Sequence, residues 1–135
     1  MSLADHIRSE SARLAALCTT CGDCVTACPM TPYAPGVAAA APGAVAAGML
    51  DVLRDGPGTA EARAWIAACT RSGVCTPACR EGIDPAFMLR LATWRAKGAL
   101  GDAPLIAVKE DTQYSPKVKA FARLTLTEEE QREWL

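Results

Sequence analysis

Seven cysteines carry the chemistry of this sequence, and all seven lie in two short runs. The first reads Cys18-Thr19-Thr20-Cys21-Gly22-Asp23-Cys24-Val25-Thr26-Ala27-Cys28-Pro29, a C-x2-C-x2-C-x3-C-P pattern. That spacing suits an iron–sulfur cluster. Three cysteines two residues apart wrap one loop around one cube, each thiolate reaching a different iron. Gly22 lets the loop backbone come close, so that N–H groups can point at sulfur. Cys28 stands about one helical turn, roughly 6 Å along an axis, beyond Cys24. It points past the first cube and can serve a second.

A second run follows at an offset of 51 residues: Cys69-Thr70-Arg71-Ser72-Gly73-Val74-Cys75-Thr76-Pro77-Ala78-Cys79. Cys, Thr, Gly and Ala recur at matching places, but Ser72 replaces Cys21 and Arg80 replaces Pro29, leaving C-x5-C-x3-C. Seven cysteines would leave one unpaired in a disulfide framework. The same number suits one four-ligand cube and one three-ligand cluster. In two-cluster ferredoxins the fourth cysteine of a run binds the other cluster. Crossed ligation then gives Cys18, Cys21, Cys24 and Cys79 to a 4Fe–4S cube. It leaves Cys28, Cys69 and Cys75 for a 3Fe–4S cluster, or for a second 4Fe–4S cube with one labile iron at the corner near Ser72. A structural zinc site wants four ligands, usually in two separated pairs, and the first run overfills such a site.

At these residues the chain resembles the alpha-helical ferredoxin domain. The C-x5-C-x3-C run is similar to the cluster-binding half of succinate dehydrogenase and fumarate reductase iron–sulfur subunits, where the same gap goes with a 3Fe–4S cluster. Arg80-Glu81-Gly82-Ile83-Asp84-Pro85, followed by a helix, resembles the ferredoxin-like iron–sulfur subunit of heterodisulfide reductase and the electron-transfer half of proteins carrying a cysteine-rich CCG domain. The resemblance covers residues 1–100 and is specific in the ligand runs. It implies a relay of single electrons to or from a catalytic oxidoreductase subunit, of CCG-domain or flavin type. A complete succinate dehydrogenase iron–sulfur protein is not expected, because only 17 residues precede Cys18.

Composition narrows the alternatives. The 135 residues suffice for a modest core, and half of them are hydrophobic. A net charge of −1 with no basic run argues against nucleic acid. No run has the length of a membrane span, and the N-terminus has no apolar signal core. Free thiolates for metal imply a reducing compartment, so a cytoplasmic protein is expected, free or at the edge of a membrane complex. The sequence offers no Ser-His-Asp set and no phosphate loop, and His6 is its single histidine. The chain alone is therefore not expected to be an enzyme. The alternative is an iron–sulfur enzyme or sensor that binds substrate at the open iron near Ser72.

The elements that must position these cysteines read as helices, and no stretch alternates with the period of a strand. An all-α fold is expected, with a di-cluster domain over 1–100 and a docking tail over 101–135. Ser2 and Asp5 form a capping box for a helix over 2–17, with Leu3, Ile7, Leu14 and Leu17 on its inner face. Residues 29–41 read as irregular loop. Pro42 enters a helix over 43–55 that Gly56 closes, with Val45, Met49, Val52 and Leu53 as its apolar stripe. Thr59 caps a helix running into Cys69, on which Trp65 stands one turn before the cysteine and shields a cluster from water. Asp84-Pro85 opens a helix over 85–97 with Phe87, Leu91 and Trp94 inward, ended by Gly98. Residues 99–114 read as loop. Ser115-Pro116 starts a short helix whose Lys117, Lys119 and Arg123 form a solvated basic face. Thr127 and Glu130 cap a last helix bearing Trp134 and Leu135.

Overall fold

Ser2 opens the first helix as its side chain suggests: its Oγ accepts from the Asp5 N–H at 3.1 Å, and its own N–H donates to the Asp5 carboxylate at 3.1 Å. The computed structural model describes residues 1–100, 108–112 and 114–134. Among them every regular element is helical, and no strand occurs. No described helix is long and apolar enough to cross a membrane. Helix α1 spans Leu3–Leu17, α2 Asp23–Ala27, α3 Pro42–Leu53, α4 Ala60–Ala68, α5 Cys75–Ala78, α6 Pro85–Ala96, α7 Tyr114–Thr125 and α8 Glu128–Trp134.

Helix α3 is the hub, touching α1, α2, α4 and α6. Its Val45, Met49, Val52 and Leu53 are all buried, together with Trp65 and Ile66 of α4 and Met88, Leu89 and Leu91 of α6. Apolar burial on this scale drives the fold. The caps of the flanking helices hold as read. Thr59 Oγ1 accepts from Ala62 N–H at 3.1 Å, and Asp84 Oδ1 accepts from Phe87 N–H at 3.1 Å. Gly98 follows α6 in a left-handed conformation.

Several details depart from the expectations. Residues 29–41 are not plain loop but contain two 3-10 turns, Thr31–Tyr33 and Val37–Ala39. On α1, Leu3 and Leu17 are exposed while Ser11 and Ala15 join Ile7 and Leu14 inside. Leu3 and Leu17 are the first and last residues of the helix. On α6, Phe87 and Trp94 are half-buried at the flanks of a face centred on Met88, Leu91, Ala92 and Arg95. Arg95 is buried and pairs with Asp55. Helix α3 stops at Leu53, and Asp55, not Gly56, takes the left-handed conformation. A side chain on Gly56 would collide with the Asp51 carboxylate. The glycine is there for room.

Part of the expected loop, 108–110, is a 3-10 turn, and α7 begins at Tyr114, one residue before Ser115. Residues 101–107 and Leu135 lie outside the described residues. Helix α7 packs on the Thr31–Tyr33 turn, and its Ala120 joins the main core cluster. Thr127 and Glu130 cap α8 reciprocally, and Trp134 is left exposed.

Candidate metal centre

The repeat in the cysteine runs is also a repeat in backbone geometry. Thr20 and Arg71, each two residues after the leading cysteine, have φ of 57° and 62°. Gly22 and Gly73 follow at 82° and 76°, a region that costs a residue with a Cβ roughly 1–2 kcal/mol. These turns swing the N–H of Thr20 onto Cys18 Sγ at 3.5 Å and the N–H of Arg71 onto Cys69 Sγ at 3.4 Å. Beyond each glycine a short helix starts. Val25 N–H donates to Gly22 O and Thr76 N–H to Gly73 O, both at 3.1 Å. Cys28 N–H donates to Val25 O and Cys79 N–H to Thr76 O, both at 3.2 Å. Matching residues thus make matching bonds in the two runs.

Cys18, Cys21, Cys24 and Cys79 line a single cavity. Cys18 caps the C-terminus of α1, Cys24 sits inside α2, and Cys79 caps α5. The cavity walls are Ala46 and Met49 of α3 and Ile83, Pro85 and Met88 at the start of α6. Cys24 is buried and Cys21 is exposed. Burial pushes the Cys24 thiol up to about 12, and the neighbouring Cys18, Cys75 and Cys21 add to the shift. A thiolate in such surroundings needs a positive partner, which a bound metal provides.

Of the remaining three cysteines, Cys75 is buried, which raises its thiol, and Cys69 and Cys28 both act electrostatically on it in the same direction. Cys24 and Cys75, one from each run, act on each other electrostatically, so the two groups of thiols are neighbours. Ser72 is exposed, as is its counterpart Cys21. Trp65 is fully buried, and its Nε1–H has no hydrogen-bond partner among the described residues. His6 lies exposed on α1.

Two features of the site were not read from the sequence. Arg80, noted there as a departure from Pro29 and as the start of the Arg80–Pro85 stretch, clasps Asp23 with Nε on Oδ2 at 2.8 Å and Nη2 on Oδ1 at 3.0 Å. Thr19 Oγ1 donates to Glu81 Oε1 at 3.3 Å beside it. The segment following Cys79 is thereby tied to the first loop. The second feature is α7, which runs beside the second loop. Lys117, Val118 and Phe121 share a groove with Cys69, Thr70 and Arg71. Lys117 is half-buried there, which corrects its reading as part of a freely solvated face.

Among the described residues, no three or more His, Cys, Asp or Glu side chains are grouped as a single metal ion would require. One zinc ion draws its thiolates to within about 2.3 Å of a common centre. A cluster instead distributes them over separate irons, and thiols arranged around a cavity suit that need. No protein-family model matches the chain, and no curated protein and no solved structure matches it.

Proposed function

We propose that the chain is a two-cluster iron–sulfur protein that relays single electrons to or from a catalytic oxidoreductase subunit of heterodisulfide-reductase, CCG-domain or flavin type. Cys18, Cys21, Cys24 and Cys79 would hold a 4Fe–4S cluster. Cys28, Cys69 and Cys75 would hold a 3Fe–4S cluster or a second 4Fe–4S cluster. The observation that carries this reading is the shared cavity: Cys79, distant in sequence, lines it with Cys18, Cys21 and Cys24, three of the four cysteines of the first run. The bound clusters would supply one-electron redox chemistry, tuned by ligands, hydrogen bonds and burial.

The chain's own contributions follow from the geometry. Apolar side chains of α3 and α6 wall the first site on its inner side, while Cys21 stands at its exposed side. The N–H groups of Thr20 and Arg71 spread negative charge from Cys18 and Cys69. Val118, Phe121 and Trp134 leave apolar surface exposed along the tail helices, which supports contact with a partner protein. One observation favours a second reading, an enzyme or sensor with substrate on an open iron: Ser72 is exposed, so an iron held beside it would be reachable from solvent.

Anaerobic reconstitution with iron and sulfide tests the proposal. It predicts about seven irons per chain, or about eight if the corner is filled. Fewer than about five after careful reconstitution would contradict two clusters.

A further inference from the structure

The two loops differ in the charge that surrounds them. In the first, the left-handed residue after the leading cysteine is Thr20, and in the second it is Arg71. The cation beside the first loop is Arg80, and its charge is matched by Asp23. Beside the second loop, Arg71 shares its groove with Lys117 of α7. The helix is seated there by Ala120, which is 1% exposed within the core cluster. Lys117 stands three residues before Ala120 and so on the same helix face. Burial lowers the Lys117 ammonium while Cys69 opposes the shift. Lys97 and Asp111 also act on Lys117, but they pair with each other at 3.2 Å, so their charges largely offset. Among the described residues that line the groove, Arg71 and Lys117 stand beside Cys69 and none is a carboxylate.

We propose that Lys117 and Arg71 make the second site the more electron-attracting of the two, so that α7 covers the high-potential end of the relay. The inference rests on the two-cluster reading. Adding an electron adds a negative charge, and a nearby cation favours the state that carries it, most strongly where water is partly excluded. Each cation is expected to shift the ratio of reduced to oxidised second site about tenfold at fixed ambient potential, equal to about 59 mV for one electron.

The test is an anaerobic redox titration of the full reconstituted chain, with each site followed by EPR. Lys117→Gln should lower the second midpoint by about that amount and leave the first in place. Lys117→Arg should restore it. Lys119→Gln, at an exposed position of α7, should move neither. Arg71→Asn keeps a residue that tolerates the left-handed conformation and should act like Lys117→Gln, so the test survives if one variant misfolds. An unmoved second midpoint in both variants, or an equal shift at both sites, overturns the inference while leaving the relay intact. A wild-type chain that binds no iron overturns both.

Discussion

The Arg80 guanidinium holds the Asp23 carboxylate with two hydrogen bonds, 2.8 and 3.0 Å long, across 57 positions of sequence. Asp23 lies between Cys21 and Cys24, and Arg80 directly follows Cys79. A bidentate guanidinium–carboxylate pair fixes orientation as well as distance. The clasp therefore keeps Cys79 in register with the first run. Arg80→Ala should leave the helical fold intact and speed loss of the first cluster to an iron chelator severalfold, followed by the decay of visible absorbance. Arg80→Lys should rescue only in part, since an ammonium lacks the fork. Equal decay in all three proteins would show that the clasp holds nothing.

The same pair has a pH signature. The Arg80 hydrogen bonds hold the Asp23 carboxyl below its usual range. Its contribution is therefore fully present above the ordinary carboxylate value of 3.8 and is lost as pH falls through the depressed one. In the metal-free chain, the difference in thermal stability between wild type and Arg80→Ala should be present near neutral pH and shrink as pH falls below 3.8.

Gly22 and Gly73 are matched in the repeat but not in their surroundings. A Cβ on Gly22 would lie 2.6 Å from Gly43 N and from Pro42 C, where α2 meets the start of α3. A Cβ on Gly73 would have nothing within 4 Å. Gly73→Ala should cost only the left-handed strain, about 1–2 kcal/mol. Gly22→Ala should cost a further ~1–3 kcal/mol for overlap. Thermal unfolding of the two variants compares them, and equal losses would remove the packing argument.

In the metal-free, reduced chain the buried Cys24 thiol resists ionisation. Its value is raised from 9.0 to about 12, so the neutral thiol favours the folded state. That stability is fully present below about pH 9 and declines as pH rises toward 12. Alkylation at pH 8 read by mass spectrometry should label exposed Cys21 first and Cys24 and Cys75 last. Early labelling of Cys24 would contradict the buried arrangement.

What could be read from the sequence was local. The caps at Ser2, Thr59, Asp84 and Thr127 involve residues three apart, and their chemistry is complete within one turn. The cysteine spacing likewise announced two loops of one kind. The Asp23–Arg80 clasp was not legible, because only the tertiary fold brings 23 and 80 together. The seat of Lys117 beside Cys69 was hidden for the same reason: periodicity gives a helix face but not what it meets. Gly56 misled because a glycine after a helix suggests a left-handed stop, whereas here the Asp51 carboxylate demands the space.

Ser72 gives a prediction about the second site. A neutral hydroxyl is a poor iron ligand, and Ser72 occupies the place that Cys21 holds in the first run. The oxidised wild-type protein should show the EPR signal of a 3Fe–4S cluster, because an ordinary oxidised 4Fe–4S cube is silent. Ser72→Cys should convert the site to a cube and abolish that signal. A wild type without the signal, unchanged by Ser72→Cys, would show a full cube already present and strengthen the open-iron reading.

Crossed ligation is the central claim, and Cys79 decides it. The measurement is EPR of the reconstituted Cys79→Ser variant in oxidised and reduced states, beside Cys18→Ser. Both substitutions should weaken the same reduced 4Fe–4S signal and spare the oxidised signal of the second site. If Cys79→Ser instead removes the second site's signal and leaves the first cluster whole, each run ligates its own cluster and the account is wrong.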